Sequence, residues 1–208
     1  MTIAQQRASL YDSFATLYAR EIGRETLFRL TDPNAAWPFL QALSVLEPDA
    51  FARLQVALAP IAALEPAEAL LELRADFTHA FLLAPASSAA PYASLYLSDG
   101  NTAKQLYGEH EALLRHFLNE QHLAIHPDFP EPADHLAILL ATAASLARNE
   151  AASGVQRNFI SAALNAWLPA FNERCQQLAL RFDFYPALSP LLLEFVAQDL
   201  AFLDSAAN

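Results

Sequence analysis

Apolar positions along the chain recur at three, four and seven residues. Leu10, Phe14 and Leu17, flanked by Tyr11 and Tyr18, form one such stripe and predict an amphipathic helix that ends near Gly23. Leu70, Leu73, Phe77 and Phe81 form a second, and Ile160, Leu164, Trp167 and Phe171 a third. Asp32-Pro33, Glu47-Pro48 and Glu65-Pro66 read as helix starts, because proline is tolerated at the first helical position, where its missing N–H has no partner to lose. Helical pattern is also expected over roughly 102–122 (Leu106, Leu113, Leu114, Phe117), 132–150, 156–178 and 187–204. Trp37 and Trp167 fall on helical patterns and are expected in the core.

Two stretches interrupt this pattern. From Ala84-Pro85 to Thr102 no helical stripe is sustained, and Tyr92, Leu95, Tyr96 and Leu97 make this long loop too apolar for simple disorder. His126-Pro127-Asp128-Phe129-Pro130-Glu131-Pro132 crowds prolines and reads as a hinge. The expected fold is therefore all-α: a helical bundle protein with a larger N-terminal part, 1–125, a hinge at 126–132 and a C-terminal helical part, 133–208. Such a hinge between helical bodies is also what a domain-swapped homodimer exploits.

Composition sharpens the picture. Only 4 glycines occur in 208 residues, which favours helix over hairpin-rich sheet. The 54% hydrophobic content is enough for a substantial core and excludes a disordered chain. With 12 basic and 23 acidic residues the net charge is −11, so nucleic acid and anionic membrane surfaces are repelled and a charged partner should be cationic. The single cysteine, Cys175, leaves no internal disulfide and no thiolate zinc cage. Met1 to Arg7 lacks a basic segment followed by an apolar core, and the run Leu136 to Ala147 is shorter than the roughly 18–20 residues that span a bilayer. A cytoplasmic protein with no integral membrane segment is expected.

Little in the chain points to catalysis. Gly-x-Gly-x-x-Gly, Gly-Lys-Ser/Thr and Gly-x-Ser-x-Gly are all missing. His122 and His126 are four apart, but Pro127 pushes His126 toward extended backbone and no third ligand sits at a suitable spacing, so no metal site is expected. Asp134-His135 cannot pair with each other as helix neighbours. With Pro132 as first helical residue, Asp134 would lie in the first turn against free N–H groups, and the same positive helix end would keep His135 neutral. Phe77 and Phe81 are expected in the core, whereas Tyr92 and Tyr96, on the loop, are candidates for contact with a partner.

Two stretches together resemble one family. Leu70-Leu71-Glu72-Leu73-Arg74-Ala75-Asp76-Phe77-Thr78-His79-Ala80-Phe81-Leu82, continued by Pro91-Tyr92-Ala93-Ser94-Leu95-Tyr96-Leu97-Ser98, is similar to the first signature of the TorD family of redox-enzyme maturation chaperones. Phe129-Pro130-Glu131-Pro132-Ala133-Asp134-His135-Leu136 is similar to the second, Glu-Pro-x-Asp-His. The resemblance implies a cytoplasmic, cofactor-free, all-helical chaperone and no enzyme activity. Its partners would be the apo form of a molybdenum reductase, typically trimethylamine N-oxide reductase, and that enzyme's twin-arginine signal peptide, held until molybdenum cofactor insertion. Weak guanine-nucleotide binding and domain-swapped dimers also go with the family.

A peptide carrying arginines and then an apolar stretch needs carboxylates beside an apolar groove. Asp134, Glu131 and His135, with Pro132 between them, are expected at the polar end, Tyr92, Leu95 and Tyr96 in the apolar wall, and Asp76 is a further candidate. Two other readings remain. One is a GTP-binding or GTP-hydrolysing maturation factor, which saturable turnover by pure protein would reveal. The other is a structural helical adaptor, which would bind its client equally well without the signal peptide.

Overall fold

The computed structural model describes residues 1–35, 37–97 and 108–206. Among these the fold is all-α. The helices are α1 (Ile3–Ala19), α2 (Arg24–Thr31), α3 (Pro38–Leu46), α4 (Pro48–Ala62), α5 (Pro66–Phe77), α6 (Ser94–Leu97), α7 (Glu109–Glu120), α8 (Leu136–Arg148), α9 (Ser153–Ile160), α10 (Leu168–Gln176) and α11 (Phe184–Ala206). Wider π-helical turns extend α5 over Thr78–Leu82 and follow α9 over Ser161–Asn165. Pro48 and Pro66 open α4 and α5 as their Glu-Pro pairs predict.

Several boundaries differ from the sequence expectation. Gly23 is the N-cap of α2, since α1 has already ended at Ala19. Asp32-Pro33 opens only a 3₁₀ turn, Pro33–Ala35. Trp37 precedes α3 as its N-cap and is half-buried, whereas Trp167 is in the core. The helix expected over 156–178 is interrupted: the π-turn ends at Asn165 and Pro169 lies at the second position of α10, where it needs no donor. Part of the 84–102 loop is the single turn α6, and Leu106 and the other residues of 98–107 lie outside the described residues.

The chain divides into two compact units. The first comprises Met1–Ala19, Pro91–Ala170 and Val196–Asn208, and the second Arg20–Ala90 and Phe171–Phe195. Residues 126–132, read from the sequence as a hinge, fall inside the first.

In the first unit α1 packs along α8. Tyr11, Phe14, Leu17 and Tyr18 are all fully buried, against a helix whose Ala143, Ala144 and Ala147 are small enough for close approach. A buried polar cluster closes the same unit. The Arg7 guanidinium donates to both carboxylate oxygens of Asp199 on α11 and, at 2.9 Å, to Gln156 Oε1 on α9, while the Tyr11 hydroxyl donates to Asp199 Oδ2 at 2.8 Å. Burial, followed by the neighbouring Asp199 charge, raises the Tyr11 phenol well above its usual pKa.

The second unit centres on aromatic rings. Phe77, Phe81 and Tyr185 meet edge to face, with centroids 5.1 Å (Phe77–Phe81), 5.9 Å (Phe77–Tyr185) and 4.8 Å (Phe81–Tyr185) apart. Pro190 lies inside α11 and cannot donate to the Pro186 carbonyl, so Gln176 Nε2 does so instead at 2.7 Å. α11 is the one described helix long and apolar enough to cross a membrane, and 56% of that apolar stretch is buried within the protein.

Helices α7 and α8 end alike. In each, the third residue beyond the helix donates back five positions, Leu123 N–H to Leu118 O and Ala151 N–H to Leu146 O, as the Schellman motif requires. The residue in between must be left-handed, and it is His122 (φ 55) after α7 and Glu150 (φ 51) after α8. Neither is glycine, so each stores strain. Glu150→Gly is expected to raise stability by about 0.5–1 kcal/mol in chemical denaturation, and an unchanged midpoint would contradict this.

Candidate functional site

The two motif-bearing segments, 91–97 and 129–136, meet in the first unit. Tyr92 and His135 form an isolated antiparallel bridge, flanked by Leu136 N–H to Pro91 O at 2.8 Å and Ala93 N–H to Asp134 O at 3.1 Å. Pro91 has no N–H to give and serves only as acceptor.

Asp134 and His135 each cap a helix, and not the same one. α8 starts at Leu136, so Pro132 is not its first residue and Asp134 is outside its first turn. The Asp134 carboxylate, with 0% exposure, instead accepts the N–H of Ser94 at 3.0 Å, the first residue of α6. His135 is the N-cap of α8, its Nδ1 accepting from Ala137 N–H at 3.1 Å. Extended backbone at His135 (φ −67, ψ 133) sends the two neighbouring side chains to different targets.

An acceptor role for Nδ1 places the ring proton on Nε2. Burial lowers the His135 pKa from 6.5 to about 4, so the neutrality expected from the helix end comes chiefly from desolvation. The ring stands edge-on between Tyr92 and Phe129, with centroids 5.1 and 5.2 Å away. Glu131 is half-buried and accepts from the Tyr92 hydroxyl at 2.8 Å. Pro132 is buried, Leu95 is buried on α6, and half-buried Tyr96 stacks on Trp167 with centroids 5.3 Å apart.

The structure thus gathers Tyr92, Glu131, Pro132, Asp134 and His135, with Leu95 and Tyr96 on the adjoining turn. Asp76 belongs to the second unit, where its buried carboxylate accepts the N–H groups of Arg181 and Phe182, both at 2.9 Å. Burial raises its pKa, against the lowering effect of those two bonds.

Phe129 and Glu111 are members of the site region that the sequence reading missed as contacts. Phe129 lay within the quoted motif and could have been named, whereas Glu111, on α7, reaches Ala133 N–H across 22 residues and carries no local signal. The second unit also has an open groove of about 480 Å³, lined among others by Leu30, Trp37, Leu40, Phe51 and Leu58, and none of the expected site residues lines it. Among the described residues no three His, Cys, Asp or Glu side chains are grouped to hold a metal ion.

The family described as nitrate reductase delta subunit matches residues 47–173, a span holding both motifs. Chaperone protein TorD of Psychrobacter sp. (strain PRwf-1) is 39% identical, over 97% of this chain and 93% of its own. The TorD proteins of Shewanella piezotolerans and Colwellia psychrerythraea are 37% and 32% identical, over 99% and 96% of this chain and 96% and 92% of theirs. The chain belongs to the TorD family. The role named for these TorD relatives is that of a chaperone, which is not catalytic.

Proposed function

We propose that this protein is a cytoplasmic chaperone in molybdoenzyme maturation, and that it binds the twin-arginine signal peptide of its client, a trimethylamine N-oxide reductase, at the Tyr92–His135 bridge. The kinship with TorD chaperones supports the first part. One observation carries the second: Glu131, a half-buried carboxylate held by the Tyr92 hydroxyl, lies on the turn whose His135 ring meets those of Tyr92 and Phe129, and so offers a guanidinium charge next to the aromatic ring of Tyr92. In this arrangement Asp134 and His135 keep the two segments together, and Glu131 meets the arginine. Leu95 and Tyr96 continue the apolar side toward the peptide's apolar stretch.

Calorimetric titration with a synthetic twin-arginine peptide tests this. Glu131→Gln is expected to weaken binding about tenfold, since a hydrogen bond to a charged group contributes about 1.5–3 kcal/mol. A twin-lysine peptide should bind more weakly than the arginine form, because it cannot pair bidentately. Association should slow as salt rises. If folded Glu131→Gln, Asp134→Ala and His135→Ala variants all bind as tightly as wild type, the peptide does not bind here.

A further inference from the structure

We infer that Glu111, on α7, is a positioning residue for the Glu131–His135 turn, an assignment that bears on peptide binding only through the function proposed above. Ala133 has 0% exposure, so water cannot satisfy its N–H and some protein acceptor must. Glu111 Oε1 is that acceptor, at 3.3 Å. The side chain is itself buried in the third position of α7, and Arg115, one turn on and half exposed, pairs with it from the solvent side.

Ala133 stands two residues after Glu131 and one before Asp134. A hold on its amide therefore sets where both carboxylates emerge. From that position Glu131 reaches the Tyr92 hydroxyl and Asp134 reaches the Ser94 amide. Glu111 touches neither of those groups in any hydrogen bond, so it acts through the backbone of the turn rather than on a bound peptide.

Hydrogen exchange read by mass spectrometry on the 129–136 segment, with twin-arginine peptide titration alongside, tests the assignment. Glu111→Ala is expected to speed exchange at Ala133 about tenfold, with α1 and α8 unchanged, and to weaken peptide binding by a similar factor. Glu111→Gln, which keeps an oxygen acceptor, should stay within about threefold of wild type in both, and Arg115→Ala should leave both unaltered. Unchanged exchange in Glu111→Ala overturns the proposal, as does an equal rise throughout α8, the mark of a merely structural role. Glu111→Asp, shorter by one methylene, gives the same reading if the alanine variant does not fold. Should wild type bind no twin-arginine peptide while exchange at Ala133 rises as stated, the positioning role stands and the peptide-binding function falls.

Discussion

Replacing Arg7 with methionine is expected to cost about 3–5 kcal/mol, because it leaves Asp199 buried and charged with its cation removed. Asp199 has 4% exposure and keeps only the Tyr11 hydroxyl among its hydrogen-bond donors in the cluster. Asp199→Leu should cost a similar amount, now stranding the guanidinium between Gln156 and the Phe202 ring, whose centroid is 5.3 Å away. The double variant should recover much of either loss, since exchanging a buried ion pair for apolar side chains of like volume is often close to neutral. In a chain of this size each single variant should melt on the order of 10 °C lower. Denaturant titration of the three variants decides the matter. Single losses under about 1 kcal/mol, or a double variant no better than the sum of the singles, would show that the pair is not a coupled buried unit.

His135 makes stability depend on pH in a window that can be named beforehand. Its folded pKa is lowered to about 4 from 6.5, so protonation is disfavoured by folding. A depressed value of this kind contributes stability that is fully present above about pH 6.5 and is lost as pH falls toward 4, amounting to about 3 kcal/mol. The structural cause is plain, because a proton on Nδ1 would remove the acceptor of the Ala137 N–H and place a charge among Tyr92, Phe129 and the buried backbone. The carboxyl groups of Glu131, Asp134 and Glu111 hydrogen-bond in the same neighbourhood, so the measurement is a comparison. His135→Asn retains a capping oxygen without titrating near neutrality. Between pH 7 and 4, wild type should lose about 3 kcal/mol more than His135→Asn, and parallel curves for the two proteins would show that the histidine is not held neutral by the fold.

Local chemistry made much of this fold legible in advance. Pro48 and Pro66 start helices for reasons confined to a single residue, and the α1 stripe lies buried where its spacing puts it. The π-turn at Ser161–Asn165 was not legible, because it changes only the hydrogen-bond pattern within an apolar run, although Pro169 was there to suggest a restart. At the candidate site the Asp134-His135 pair could be noticed as a motif, and the bridge to Tyr92 followed two segments the sequence had already singled out. What each of the pair does could not be read. Asp134 caps a helix 40 residues upstream, and no spacing rule links a carboxylate to so distant an amide. Glu111 and Arg7 were hidden for the same reason, their partners being fixed by packing rather than by periodicity.

The partition of the chain between its two units constrains biosynthesis. Arg7 leaves the ribosome 192 residues ahead of Asp199, and the first unit is assembled from three separated segments with the whole of the second unit's sequence lying between them. A nascent chain therefore carries Arg7 without its Asp199 partner through nearly all of translation, and a product stalled before α11 lacks the pair that closes the unit holding Tyr92 and His135. Prematurely ended chains should thus be protease-sensitive rather than half-functional, which would keep fragments from competing with the finished protein for clients.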